Sequence, residues 1–272
     1  MPPPILEAIS VTKTYPRRGG MWREQAGTIR AVDQVSCALG PGETLGLVGE
    51  SGCGKTTLAK LLVGYLQPTA GEVRMQGHPI SSLRGRALLT ARRLVQFIFQ
   101  DPANSLNPRM SVEESIVEPL VIHTRLSRTT RRERVEALLE TVQLPRTYRQ
   151  RLPRELSGGE RQRVGIARAL ATEPMALICD EPIAALDVLV GAHILDLLRR
   201  LAKERHMALC FISHDLRAVA SLCERIAVMR HGCLLEIAST DSILHRPQHP
   251  YTALLLRAAT LELDSTPTDP SA

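Results

Sequence analysis

Apolar positions in this chain fall into short runs, each closed by glycine, proline or charge. Residues 5–15 read as an edge strand, and a loop rich in glycine and arginine separates them from a second strand signal at 29–39. Gly40-Pro41-Gly42 marks a turn, and 44–48 is an apolar run of the length a buried strand takes. A helix-forming run follows from Thr57. Pro68 and Gly71 signal a turn, 73–77 a short strand, and 83–93 a helix leading into the apolar run 95–99. From Asp101 to about Arg168 the pattern is polar with a helical period. There Thr130-x-x-Glu133 predicts a capping box, opening a helix through Leu144 with Val135, Leu138, Leu139 and Val142 on one face. Short apolar strands then alternate with helices: strands at 176–179, 208–213 and 225–229, helices at 190–203 and 216–223. This alternation predicts a parallel sheet with crossover helices, hence an α/β fold carrying a helical insert at about 101–168. The stretch 260–272, rich in Pro, Ser, Thr and Asp, reads as a disordered tail.

Composition narrows the classes. Of 272 residues, 44% are hydrophobic and 23% charged, the balance of an ordinary globular chain with one large or two modest domains. No apolar run approaches the roughly 18 residues that cross a bilayer. Met1-Pro2-Pro3-Pro4-Ile5 lacks the charged and apolar regions of a secretory signal. The expectation is a cytosolic chain that reaches a membrane only through a partner. Six scattered cysteines without a C-x-x-C pair fit buried thiols in a reducing compartment, not a zinc site. The net charge of +6 is spread over dispersed arginine pairs, and aromatics are 3%. Single-stranded nucleic acid needs stacking aromatics, so the basic surface is read as solvated or as facing anionic lipid headgroups.

The run Gly49-Glu50-Ser51-Gly52-Cys53-Gly54-Lys55-Thr56 fits G-x-x-x-x-G-K-[ST] and stands between a strand and a helix, the context that motif requires. Its glycines let successive N–H groups point at phosphate oxygens, and the helix start adds its positive dipole end. Lys55 would reach the β- and γ-phosphates and the Thr56 hydroxyl would ligate Mg²⁺. Thr57 completes the candidate loop. Cys53 is a thiol open to alkylation.

Phosphoryl transfer also needs a metal carboxylate and a group that orients water. The apolar run 176–179 ends in Asp180 and Glu181. Asp180 would hold Mg²⁺ and Glu181 would polarise the attacking water. Gln100, closing the run 95–99, can touch the metal or the water; His214, closing the run 209–213, can hydrogen-bond the γ-phosphate. Leu156-Ser157-Gly158-Gly159-Glu160-Arg161-Gln162 precedes a helix from Arg161 and forms a second anion-binding helix start. Two such starts fit one phosphate most simply when two subunits lie head to tail, each closing the other's site.

Taken in order, these motifs make residues 5–258 resemble the ATP-binding subunit of ABC transporters. The resemblance implies a P-loop NTPase core, an N-terminal antiparallel β subdomain and a helical insert, with ATP and Mg²⁺ as ligands. It implies that Tyr15 stacks on adenine and that Ser157, Gly158, Gly159 and Glu160 meet the ATP of an opposing subunit. A narrower resemblance, to dipeptide, oligopeptide and nickel importer ATPases, rests on Phe99-Gln100-Asp101-Pro102, Ser105-Leu106-Asn107-Pro108, His249-Pro250-Tyr251-Thr252 and Tyr15-Pro16 with Ala31-Val32-Asp33. Its implied partners are a second, different ATPase chain, two transmembrane permease subunits and an extracytoplasmic solute-binding protein. The chain would then sit peripherally on the cytoplasmic face of the plasma membrane.

Three departures stand out. Glu160 replaces the usual Gln. Ile183 and Ala184 replace Thr and Ser, so the two ATP sites of a dimer need not be equivalent. The cysteine-bearing tail of many peptide importers is missing, which leans toward nickel or a metal chelate over peptide. The competing readings are a soluble ABC ATPase acting on nucleic acid, which lacks its usual coiled-coil insert or second cassette here, and an exporter ATPase, which the His249-Pro250-Tyr251 element disfavours.

Overall fold

The computed structural model describes residues 3–16, 27–100 and 105–264. The expected Gly/Arg loop, Asp101 and the tail from 265 onward lie outside these residues. Among the described residues, β1 (Leu6–Pro16), β2 (Thr28–Leu39), β4 (Ala70–Met75) and β5 (His78–Pro79) form an antiparallel sheet in the order β2-β1-β4-β5. β1 is therefore interior, not an edge. Leu6 pairs with Leu39 on one side and Met75 on the other, and both faces of that contact are apolar and buried.

The second sheet has the order β10-β9-β3-β8-β7-β6. β3 (Thr44–Val48), β6 (Val95–Ile98), β7 (Ala176–Asp180), β8 (Ala208–Ile212) and β9 (Arg225–Arg230) pair in parallel, as the alternation of strands and helices predicts. The hairpin partner β10 (Cys233–Ser239) escaped the pattern. It runs antiparallel to β9 through His231-Gly232, both at positive φ, the geometry of a tight hairpin turn.

Helices cover this sheet: α1 (Lys55–Leu62), α2 (Gly85–Leu94), α3 (Val112–His123), α4 (Arg128–Thr141), α5 (Gly158–Leu170), α6 (Val188–Arg205), α7 (Leu216–Leu222), α8 (Thr240–His245) and α9 (Pro250–Asp264). The capping box expected at Thr130 is not there. Ser127 caps α4, its hydroxyl accepting from Thr130 N at 3.2 Å, and Thr130 is already helical. The reciprocal box is on α3 instead, between Ser111 and Glu114. α9 runs to Asp264, past the point where the tail was expected to begin.

Alternate residues of β7 feed two apolar layers. Leu177 and Cys179 join Ile116, Leu138, Leu139, Leu198 and Phe211, so the helical insert shares the main core and is no appendage. Ala176 and Ile178 join Leu6, Val11, Leu58 and Leu61, which tie α1 and the antiparallel sheet to the opposite face. Each such buried leucine or isoleucine contributes about 1.5–3 kcal/mol. That leaves the carboxyl ends of β3, β7 and β8 rigidly aligned at one end of the sheet.

Candidate nucleotide site

β3 delivers its chain into the glycine loop, and two glycines there are dictated by backbone. Gly49 (φ 153°) and Gly54 (φ 111°) would each push a Cβ to 2.1 Å from a carbonyl oxygen, of Met229 and Ala31 respectively. α1 begins on Gly54 with no side-chain cap, so its first N–H groups stay available to an anion. At the next helix start along the chain that matters here, α5, the situation differs. Ser157 Oγ accepts from Glu160 N (3.3 Å), Glu160 Oε2 accepts from Ser157 N (2.7 Å), and Tyr148 OH donates to Glu160 Oε1 (2.8 Å). These bonds, that from Ser157 N foremost, hold the Glu160 carboxyl below its ordinary range. The second helix start thus carries its own carboxylate, and an incoming anion has the N–H groups of Gly158 and Gly159 left to it.

Lys55 is 6% exposed, and its Nζ donates to the carbonyls of Gly49 (2.7 Å) and Glu50 (2.9 Å). A cleft of about 280 Å³ opens beside it, walled by Ser51, Gly52, Thr56, Thr57, Gln100 and Glu181 among others. Thr56 Oγ1 donates to Asp180 Oδ1 at 3.1 Å, joining the loop to the end of β7. Asp180 is 2% exposed. Burial foremost, with Glu181 adding to it, pushes its carboxyl up, while the Thr56 bond opposes the shift. A hydroxyl and a carboxylate side by side are hard oxygen donors of the kind Mg²⁺ takes, with water and phosphate completing the shell. The buried, under-compensated Asp180 therefore fits that cation. When bound, Mg²⁺ neutralises phosphate charge in the transition state.

Glu181 follows at φ 49°, a strained left-handed conformation for a residue with a Cβ, pinned by its N–H donating to Ile212 O at 2.9 Å. Its carboxylate oxygens stand 2.9 and 3.0 Å from His214 Nδ1 at the end of β8. Glu181 is 8% exposed, whereas 60% of the His214 side chain is open to solvent. His214 can thus orient the buried carboxylate from a position open to solvent.

Two groups of candidates stand apart from the cleft. Tyr15, half-exposed, pairs with Ile29 across β1 and β2, with Lys13 Nζ 5.5 Å from its ring centre. Residues 157–160 also lie outside the cleft walls. Gly159 meets α6 instead, where a Cβ would fall 2.3 Å from Val190 Cγ1. Cys53 is buried and its thiol is pushed up, chiefly by desolvation. Among the described residues no three His, Cys, Asp or Glu side chains cluster as a metal site.

Sequence reading missed the backbone neighbours of the loop, Ala31 and Met229, because carbonyls leave no residue-type signal. It also missed what Tyr251 touches. That buried ring lies under the Arg230 guanidinium (4.5 Å to its centre), and burial together with the neighbouring Glu50 pushes its phenol up. The His249-Pro250-Tyr251 element is thereby a buttress behind the glycine loop.

Comparison with known proteins agrees with this geometry. The family profile described as ABC transporter matches residues 32–184. The oligopeptide transport ATP-binding protein OppF of Bacillus subtilis is 48% identical over 238 residues, 86% of this chain and 78% of its own length. The glutathione import ATP-binding protein GsiA of Pectobacterium atrosepticum is 44% identical over 94% of this chain, which spans 41% of that longer protein. The dimeric, post-hydrolysis structure of the ATP-binding cassette MJ0796 with ADP and Pi superposes with a TM-score of 0.77 at 30% identity, covering 86% of this chain and 98% of that one. With a glycine loop, a paired Asp180-Glu181 strand end and a capped Ser157-Gly158-Gly159 turn on one α/β core, the chain belongs to the ABC transporter family and is an ATP-hydrolysing cassette that works with Mg²⁺.

Proposed function

We propose that this chain is the ATPase subunit that energises import of a peptide through a membrane ABC transporter. The observation that carries the ATPase half is the Thr56–Asp180 bond beside the Glu181–His214 pair, with Thr56 and Glu181 lining the Lys55 cleft. The relatives' names support the cargo, being oligopeptide and glutathione systems. They give the nickel alternative less support than peptide.

In this reading Lys55 and the loop N–H groups of residues 49–57 bind the phosphates, and Thr56, Asp180 and Gln100 hold the metal. Glu181 takes a proton from the attacking water, and His214 keeps that carboxylate aimed and meets the γ-phosphate. Tyr15 covers the adenine. Residues 157–160 face the nucleotide of an opposing protomer, which is a second, different ATPase chain. Catalysis is then positioning and charge neutralisation, with little covalent work for the protein.

No helix among the described residues is long and apolar enough to cross a membrane. The names of its transport relatives support a chain that works peripherally on the cytoplasmic face, beneath two permease subunits supplied by a solute-binding protein. Their docking place is the cavity of about 250 Å³ between β6 and α3, where Phe97, Phe99 and Tyr65 form one aromatic cluster beside Gln96 and Arg168. Gln100 lies just beyond, linking that cavity to the nucleotide cleft. Reconstitution tests the proposal. ATP turnover by the assembled complex should rise when peptide-loaded binding protein is added. Turnover that ignores both membrane subunits and cargo would overturn it.

A further inference from the structure

Tyr148 carries no motif of its own. It sits in the short 3₁₀ turn Arg146–Gln150, between α4 and α5, and its ring packs against the main apolar core. Yet its hydroxyl donates to Glu160 Oε1 at 2.8 Å, while the other oxygen of that carboxylate accepts from Ser157 N at 2.7 Å. The Arg151 guanidinium lies 3.7 Å from the centre of the Tyr148 ring, and its charge adds to the field that keeps Glu160 ionised. One carboxylate thus bridges the start of α5 and a tyrosine upstream of it.

The turn that carries Tyr148 is itself held. Arg149, 14% exposed along its side chain, donates from Nε and Nη2 to Glu113 Oε2 at 3.1 and 2.9 Å, and from Nη1 to Glu136 Oε1 at 2.8 Å. Glu113 is on α3 and Glu136 on α4. The first residue of α3, Val112, donates its N–H to Arg151 O at 2.9 Å. Charge-assisted bonds of this kind are the strong ones. Tyr148 is therefore a fixed post, and the Glu160 carboxylate is the part that must come to it.

The α5 start attracts any carboxylate, its own included. Ser157 N occupies one oxygen of Glu160. Released from Tyr148, the other would be drawn to the N–H groups of the first turn, where it would repel an incoming phosphate. A glutamine at 160 would carry no such charge, so the restraint matters because this chain has glutamate there. We propose that Tyr148 is a positioning residue for the nucleotide of the opposing protomer: by holding Glu160 Oε1, it keeps the N–H groups of Gly158 and Gly159 open to that phosphate. The inference rests on the reading that residues 157–160 face that nucleotide.

The test is ATP turnover by the assembled complex, run as a double-mutant cycle between Tyr148→Phe and Glu160→Gln. Phenylalanine keeps the ring and its contact with Arg151 and deletes only the hydroxyl. Tyr148→Phe should raise the KM for ATP about five-fold with kcat within about two-fold, because closure on nucleotide weakens while the chemistry of the closed state is untouched. The isolated chain should still bind ATP in its own Lys55 cleft within about two-fold of wild type. Adding Glu160→Gln to Tyr148→Phe should bring the KM back to within about two-fold, since a loose amide does not repel phosphate. Equal rises in KM with glutamate and with glutamine at 160 would leave Tyr148 a packing role and overturn the proposal. So would an unchanged KM in Tyr148→Phe, or a matching loss of ATP affinity in the isolated chain, which would trace the effect to the fold. Ser157→Arg, measured alongside, separates the two failures. If it depresses turnover while Tyr148→Phe is silent, the turn meets nucleotide and only the role of Tyr148 falls. If both are silent, the reading of residues 157–160 falls with it.

Discussion

Asp180 sits at 2% exposure with one hydroxyl donor, and burial lifts its carboxyl above the ordinary 3.8. A carboxyl whose folded value is raised contributes stability that is fully present below the unfolded value. That contribution is lost as the pH rises through the folded one. At pH 7 the ionised side chain is therefore a burden on the nucleotide-free fold. Asp180→Asn should raise the melting temperature of the free chain by about 2–4 °C at pH 7, the shift that about 1 kcal/mol gives in a domain of this size. The gain should vanish below the unfolded value, and MgATP should no longer stabilise the variant. Calorimetry across pH reads all three, and a variant that melts below wild type at pH 7 would contradict the account. Its neighbour Glu181 is strained where Asp180 is buried, and it is aimed by His214 at 2.9 Å. Glu181→Gln keeps shape and nearly all contacts. It should lower turnover about 10²–10⁴-fold while leaving nucleotide affinity within a few-fold. Unchanged turnover in the assembled complex would remove Glu181 from the role of base.

At the scale of elements, α5 is positioned by what it lacks. Gly159 lets α5 lie against α6, since a Cβ would come within 2.3 Å of Val190 Cγ1, a branched side chain with little room to turn. Gly159→Ala should cost about 1–3 kcal/mol by overpacking, and Val190→Ala in the same chain should restore much of it. A double-mutant cycle on urea midpoints measures the coupling, and strict additivity would mean the contact is slack. The glycine loop and the Asp180-Glu181 strand end were legible in sequence because their chemistry is written in side-chain type at fixed spacing. β7 and β8 were legible because five consecutive buried residues leave an apolar run. β10 was not legible, since half-buried Leu234, Leu235 and Ile237 give no clean alternation on an edge strand. β1 was misplaced to an edge because pairing on both sides is a property of neighbours brought from Leu39 and Met75, not of the strand's own pattern. The α4 cap was misassigned for a simpler reason: Ser127 and Thr130 are both good caps, and their two hydroxyls lie only 2.9 Å apart.

For the molecule as a whole, the decisive arrangement is that one chain holds two phosphate-seeking helix starts in separate places. The α1 start opens on the Lys55 cleft, uncapped; the α5 start is capped by its own Ser157–Glu160 box and lies outside the cleft walls. If both grip the same triphosphate, they must come from different protomers, and substitutions at the two starts should then separate by assay. Lys55→Ala should abolish nucleotide binding by the isolated chain, because it removes the ammonium that now rests on the Gly49 and Glu50 carbonyls. Ser157→Arg should leave that affinity within about two-fold, since nothing in its own cleft changes. In the assembled complex the same Ser157→Arg should depress turnover at the partner's nucleotide, because a long cation would fill the place where two protomers close. Equilibrium titration of a fluorescent ATP analogue on the isolated chain, set beside turnover of the complex, reads both arms. Matched losses of affinity in the isolated chain would mean that a single protomer builds the whole site. An intact complex that turns over normally with arginine at 157 would mean that the α5 turn never meets nucleotide. The split result is the one that two helix starts in separate places predict, with α5 tied into the core beside β7 through Ile166, Leu170 and Leu177.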